Sequence, residues 1–157
     1  HFDVTVNMTD EEWMTMISIH LNGTFFCTRE ALKIMNNVNK GSIINMGSVL
    51  GTTGGPSSPH YSAAKAGILG FTRATAREMA SRNIRVNAIA PSLTDTPLAS
   101  KLLVTDEKKQ ANAERHPLKK IGKAEDIAKM ATFLLTDQSS WMTGQILHLD
   151  GGMSSIK

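Results

Sequence analysis

Cysteine is almost missing from this 157-residue chain, where Cys27 stands alone. A lone thiol excludes an internal disulfide, which removes the stapled secreted mini-domains and suits a reducing, cytoplasmic setting. No run of eighteen apolar residues occurs, so a membrane-spanning helix is not expected. The first residues carry no basic segment followed by an apolar stretch, so no secretory leader is read there. Neither sign of charge dominates: 17 Lys and Arg against 14 Asp and Glu leave +3. The only lysine doublets, Lys108-Lys109 and Lys119-Lys120, lack interleaved aromatics, so a nucleic-acid interface is not expected either. His1, His116 and His148 form no pattern of metal-ligand spacing with Cys, Asp or Glu, and no metal site is read from them.

What remains is the composition of a globular α/β domain, 41% hydrophobic and 20% charged. Thr9-Asp-Glu-Glu12 has the form of a capping box, which predicts a helix from Thr9 to about Asn36 with Trp13, Ile17, Leu21, Phe25 and Leu32 on its apolar face. The isoleucine-rich segment 42–46 predicts a short buried strand. Glycine, threonine, serine and proline over 49–59 predict a loop. A second long helix is expected over about 58–82, a strand over 84–89, a helix within about 99–115, a helix over about 124–136 and a last strand over 145–149. Strands alternating with helices at these lengths imply a parallel sheet.

The chemistry gathers around three side chains. Tyr61 and Lys65 in Tyr-Ser-Ala-Ala-Lys lie about one helical turn apart, so they share a face. A phenol ordinarily ionises near pH 10, and an ammonium beside it favours the phenolate. Ser48, thirteen residues upstream at the end of the predicted strand, can hydrogen-bond a substrate oxygen and hold it against the phenol. Taken alone the Tyr–Lys pair also reads as an exposed helical pair, worth about 0.2–0.5 kcal/mol. Ser48 alone reads as a turn or capping hydroxyl.

Four blocks in sequence order change that balance. Gly41-Ser-Ile-Ile-Asn-Met-Gly-Ser48, Tyr61-Ser-Ala-Ala-Lys65-Ala-Gly, Ile84-Arg-Val-Asn-Ala-Ile-Ala-Pro91 and Thr143-Gly-Gln-Ile-Leu-His-Leu-Asp-Gly-Gly152 together resemble the short-chain dehydrogenase/reductase family. The wording is nearest its 3-oxoacyl-carrier-protein-reductase-like members. The resemblance implies a Rossmann-like, doubly wound parallel sheet and an NAD or NADP cofactor. It also implies catalytic roles for Ser48, Tyr61 and Lys65, with Lys65 lowering the tyrosine pKa and holding the nicotinamide ribose. That family opens with a glycine-rich turn for the cofactor pyrophosphate, and neither G-x-x-x-G-x-G nor G-x-G-x-x-G precedes Ser48 here. Residues 1–157 are therefore expected to form a single, incomplete dinucleotide-binding domain, roughly the C-terminal two thirds of a longer enzyme, without the residue that selects NAD over NADP. Such a domain would leave one edge of its sheet unfilled.

Two departures from the family pattern follow. The loop Ala90-Pro-Ser-Leu-Thr-Asp-Thr96 is similar to the segment that holds the nicotinamide amide, through Pro91, backbone near Thr94 and a hydroxyl at Thr96. The family usually has glycine where Ser92 stands. His20 falls where the family carries an asparagine that orients a water in the proton relay, so it is read either as a relay member or as a packed helix histidine. The resemblance implies reversible hydride transfer between the nicotinamide and a small-molecule carbonyl or secondary alcohol, for which a 3-oxoacyl thioester, a ketosteroid or a small alcohol would serve. The substrate pocket is expected from 54–60 and 98–116. An epimerase or lyase using the same tyrosine base is a sister reading. The long helices and the tail resemble the family's dimer and tetramer surfaces, and a non-catalytic remnant retaining only those surfaces is the rival reading.

Overall fold

The computed structural model describes residues 3–156. Thr9 caps helix α1 (Asp10–Ile17): its hydroxyl accepts from the Glu12 amide at 3.2 Å, and the Glu12 carboxylate accepts from the Thr9 amide at 3.0 Å. The helix continues through a π-helical turn, Ser18–Asn22, into α2 (Gly23–Val38), which ends at Asn39 in the left-handed conformation. Strand β1 (Gly41–Met46) follows, then the short helix α3 (Leu50–Thr53), and then α4 (Pro59–Met79) with a 3-10 turn at Ala80–Arg82. Next come β2 (Ile84–Pro91), β3 (Thr94–Asp95), a 3-10 segment at Pro97–Leu102 and α5 (Asp106–Glu114). The chain closes with β4 (Gly122–Lys123), α6 (Ala124–Leu135) and β5 (Ile146–Leu149).

The main sheet is parallel in the order β1-β2-β5, with Gly41 opposite Ile84 and Ala88 opposite Ile146. Central β2 reads as a near-continuous apolar run because helices cover both faces; Val86, Ala88, Ile89 and Ala90 are fully buried. Ile43, Ala76, Ile84 and Val86 form a core cluster onto which Leu32 and Met35 of α2 and Met79 of α4 pack. The end of α6 is tied down on this sheet by its Leu134 carbonyl, which accepts from Ser42 Oγ at 2.8 Å, Arg85 Nη2 at 2.8 Å and Ser139 Oγ at 3.1 Å. The other edge of β1 meets no strand among the described residues.

The expected parallel α/β sheet is thus observed, with local corrections. The 49–59 loop contains α3, because Leu50 and the Val49 backbone fold back over α4. The expected apolar face of the first helix is only partly covered: Leu21 packs on Gly67 of α4, whereas Trp13 and Phe25 stay exposed. The β3–β4 pair was not legible, since two-residue strands carry no periodicity.

Candidate active site

Ser48 reaches its position because the β1–β2 pairing runs past the strand end. Gly47 donates to the Ile89 carbonyl at 2.8 Å and Val49 to the Pro91 carbonyl at 2.9 Å, so Ser48 is clamped beside the carboxyl end of β2. In open α/β sheets this is the edge where ligands sit. The Ser48 side chain is 8% exposed. Its Oγ accepts from the Leu50 amide at 3.2 Å, so the capping role does exist. The same hydroxyl also acts on Tyr61, whose pKa it lowers. A serine that orders the turn after β1 is thereby placed to act on the phenol as well.

Helix α4 brings Tyr61 and Lys65 to the same spot. Gly51 allows this approach: a Cβ there would stand 2.8 Å from the Lys65 carbonyl carbon and 2.9 Å from the Ala66 nitrogen. Lys65, 7% exposed, donates from Nζ to the Met46 carbonyl at 2.8 Å, and Nζ lies 5.6 Å from the Tyr61 ring centroid. Burial pulls the ammonium below its ordinary pKa. Burial pushes the phenol above its ordinary 10.0, and the Ser48 hydroxyl opposes that shift without cancelling it. Desolvation of the phenolate is the larger of these two influences.

His20 sits in the π-helical turn, where the backbone widens and re-aims a side chain, a recurrent device at functional sites. Its ring meets the Tyr61 ring edge-on at 5.3 Å between centroids. Burial lowers its pKa and the nearby Lys65 charge lowers it further. His20 also lines a cleft of about 280 Å³ with Glu11, Glu12, Thr15, Met16, Ile19 and His60. His60 is buried there, and its Nδ1 has no hydrogen-bond partner.

The loop after β2 is ordered by its own hydroxyls. Thr94 Oγ1 donates to the Ser92 carbonyl at 3.0 Å and Thr96 Oγ1 to the Thr94 carbonyl at 3.4 Å; Thr96 also caps the following 3-10 segment by accepting from the Ala99 amide. Pro91 ends β2 beside Ser48, whereas Thr94 lies in the separate β3–β4 pair. The Thr96 hydroxyl is at least partly a capping group. Asn45 joins side chains: its Nδ2 donates to Thr72 Oγ1 at 2.9 Å and its Oδ1 accepts from Thr28 Oγ1 at 3.3 Å, linking α4 and α2 under the site. Sequence reasoning passed over His116, which is 3% exposed and bonded to Ser92. Nothing local marks it, because its partner lies 24 residues away. Among the described residues no group of three or more His, Cys, Asp or Glu side chains is placed to hold a metal ion.

A parallel sheet with buried Ser48 and Lys65 and half-buried Tyr61 at its carboxyl edge defines a class, and comparison with known proteins agrees. A family profile described as enoyl-(acyl carrier protein) reductase matches residues 3–154. The 3-oxoacyl-[acyl-carrier-protein] reductase FabG of Thermotoga maritima is 40% identical over 148 residues, 94% of this chain and 59% of that enzyme. The Chlamydia trachomatis FabG is 41% identical over 149 residues, 95% of this chain and 59% of that enzyme. Among solved structures, ElxO with NADP bound superposes with a TM-score of 0.92 at 32% identity, over 98% of this chain and 62% of that one. A candidate gluconate dehydrogenase from Agrobacterium tumefaciens gives 0.95 at 32% identity, over 99% and 62%. The chain belongs to the short-chain dehydrogenase/reductase family and carries part of its Rossmann-like α/β fold. It spans about 59% of the length of these curated relatives.

Proposed function

We propose that this chain is the catalytic part of an NAD(P)-dependent oxidoreductase that interconverts a carbonyl and a secondary alcohol, with a 3-oxoacyl thioester as the favoured substrate class. The observation that carries the reading is the convergence of Ser48, from β1, on Tyr61 and Lys65, from α4, at the carboxyl edge of the sheet. The thioester preference rests on the 3-oxoacyl reductase relatives.

The residues present fit the nicotinamide end of a dinucleotide. Lys65 offers three ammonium donors, of which the Met46 carbonyl takes one, leaving others for a ribose hydroxyl. The Pro91–Thr96 loop supplies backbone groups suited to a carboxamide. When bound, the nicotinamide supplies or accepts the hydride. In reduction, Tyr61, protonated at neutral pH, gives its proton to the substrate oxygen. Ser48 hydrogen-bonds that oxygen and fixes it against the phenol, so that proton transfer occurs within a set geometry. Lys65 supplies positive charge beside the phenolate that remains, and His20, at the ring edge, orients the water through which Tyr61 is reprotonated. Oxidation runs the same steps backward, with the Tyr61 phenolate as base.

The 157 residues contain no glycine-rich phosphate turn, so the domain proposed here holds only the nicotinamide side of the cofactor, and NAD is not separated from NADP. A groove between α2 and α4, of about 320 Å³ and lined by Phe25, Leu32, Phe71 and Met79, supports assembly into dimers or tetramers through these helices. No helix among the described residues is long and apolar enough to cross a membrane, and a cytoplasmic location fits the lone Cys27.

The reading is tested by titrating the chain with NADPH and NADH while following Trp13 and Trp141 fluorescence, then adding an acetoacetyl thioester and watching the nicotinamide absorbance. Binding followed by stoichiometric oxidation, reduced about a hundredfold or more in Tyr61→Phe, is the expected result. Failure of both nucleotides to bind sinks the reading for this chain and favours the association remnant. Turnover without a change in nicotinamide absorbance points to the epimerase or lyase.

A further inference from the structure

His116 ends the segment that follows the cofactor loop. Its Nδ1 lies 2.9 Å from the Asn112 carbonyl, an acceptor only, so in the neutral ring Nδ1 carries the proton and Nε2 accepts. Ser92 Oγ lies 2.8 Å from that Nε2 and is the group that donates to it. Ser92 is the residue that stands where the family usually has glycine. Its amide donates to the Leu149 carbonyl at 3.1 Å, and its hydroxyl also approaches Met153 Sδ at 3.3 Å. Just beyond His116, the Leu118 amide donates to the Gly151 carbonyl at 3.1 Å, and a Cβ on Gly151, which has φ +60°, would stand 3.3 Å from His116 Cβ.

One buried imidazole thus joins three stretches of chain: the loop after β2, the end of α5 and the tail after β5. The Ser92–His116 bond also brings together the two ends of the intervening flap, whose Leu98, Leu102 and Val104 are exposed. Among the described residues of the flap, no comparably buried polar side chain bonds back to the sheet. Pinning its ends therefore fixes both the flap and the loop from which it springs.

We propose that Ser92 and His116 are a coupled positioning pair, in which a hydrogen bond to a buried histidine fixes the cofactor loop. The pair acts through the Pro91–Thr96 backbone on the affinity for the nicotinamide, and touches neither the substrate nor Tyr61. This rests on the nicotinamide reading given above.

The test is a double-mutant cycle of Ser92→Ala, His116→Leu and the two combined, with His116→Gln as the conservative variant, read by NADPH titration and by amide hydrogen exchange of segments 92–96 and 97–115. Each single change is expected to weaken NADPH about three- to tenfold, the scale of one buried hydrogen bond, and to speed exchange in both segments. The double variant should be no weaker than the worse single one, because removing both partners leaves no orphaned buried group. His116→Gln should restore most of the affinity, and kcat should stay near wild type while KM for NADPH rises. Additive losses, unchanged exchange, or a fall in kcat at constant KM each overturn the pair. If the unaltered chain binds no NADPH, the nicotinamide reading fails and the cofactor role of the pair falls with it. An unaltered chain that binds, with an additive cycle, overturns the pair alone.

Discussion

The rings of His20 and Tyr61 meet edge to face at 90°, with centroids 5.3 Å apart, although 41 residues separate them in sequence. The contact joins a π-helical turn to the first turns of α4 and places a titratable ring beside the phenol proposed as acid. Burial and Lys65 both favour its neutral form, which can donate and accept in one hydrogen-bonded chain.

This gives His20 a stability signature. Its folded pKa lies below the ordinary 6.5, so the folded state binds fewer protons than the unfolded chain as pH falls from about 6.5 through the lowered value. Stability is full above 6.5 and declines with acidification across that window. His20→Asn removes this part of the slope. Urea midpoints for both proteins between pH 7.5 and 5 should diverge in the mutant's favour as pH drops; parallel curves would rule the assignment out.

Tyr61 is the chain's single tyrosine, so tyrosinate absorbance reports it alone. The titration midpoint of the folded protein should lie above 10.0 because burial outweighs the Ser48 bond. Ser48→Ala should move it higher by removing the hydrogen bond that lowers it. Ionisation below 10.0 in the folded protein would contradict the burial argument.

Lys65→Met should stabilise the fold at pH 7 while abolishing nicotinamide turnover. A buried ammonium with a depressed pKa costs stability whenever it is charged, and an apolar side chain of similar length removes that cost. The orphaned Met46 carbonyl offsets part of the gain. A lower Tm in the variant would show that the Lys65–Met46 bond outweighs the desolvation.

Gly51→Ala places a methyl group 2.8 Å from backbone carbon and 2.9 Å from backbone nitrogen of α4, neither of which is the free end of a side chain. Helices α3 and α4 must separate, at about 1–3 kcal/mol, and Ser48 moves with α3. Chemical denaturation measures the first effect, and loss of the Ser48-dependent shift in the Tyr61 titration measures the second.

Thr9→Ala removes the hydroxyl half of the capping box on α1, leaving the Glu12 carboxylate on the residue 9 amide, and should cost about 1 kcal/mol without changing the Tyr61 titration. A shifted titration would mean that α1 transmits its position to the site through His20.

Much of the fold was legible because it is written in local terms. The capping box at Thr9 marks the start of the first helix, and the isoleucines of 42–46 and the segment 84–89 mark buried strands. The rest lacks a local signal. The π-helical turn at Ser18–Asn22 has an ordinary helical composition, β3 and β4 are two residues each, and the partners of Asn45, Thr28 and Thr72, lie on other helices.

By itself the sequence determined that Tyr61 and Lys65 share one face of a helix, that Ser48 closes a buried strand, and that strand and helix alternate into a parallel sheet. Each follows from backbone periodicity and side-chain chemistry within a few residues. Only the tertiary structure decided that Ser48 acts on Tyr61, that burial raises the phenol pKa above its ordinary value, and that Ser92 takes a histidine 24 residues away as its partner. Those outcomes depend on contacts that form only after long loops close, and on desolvation that exists only once a core surrounds the groups.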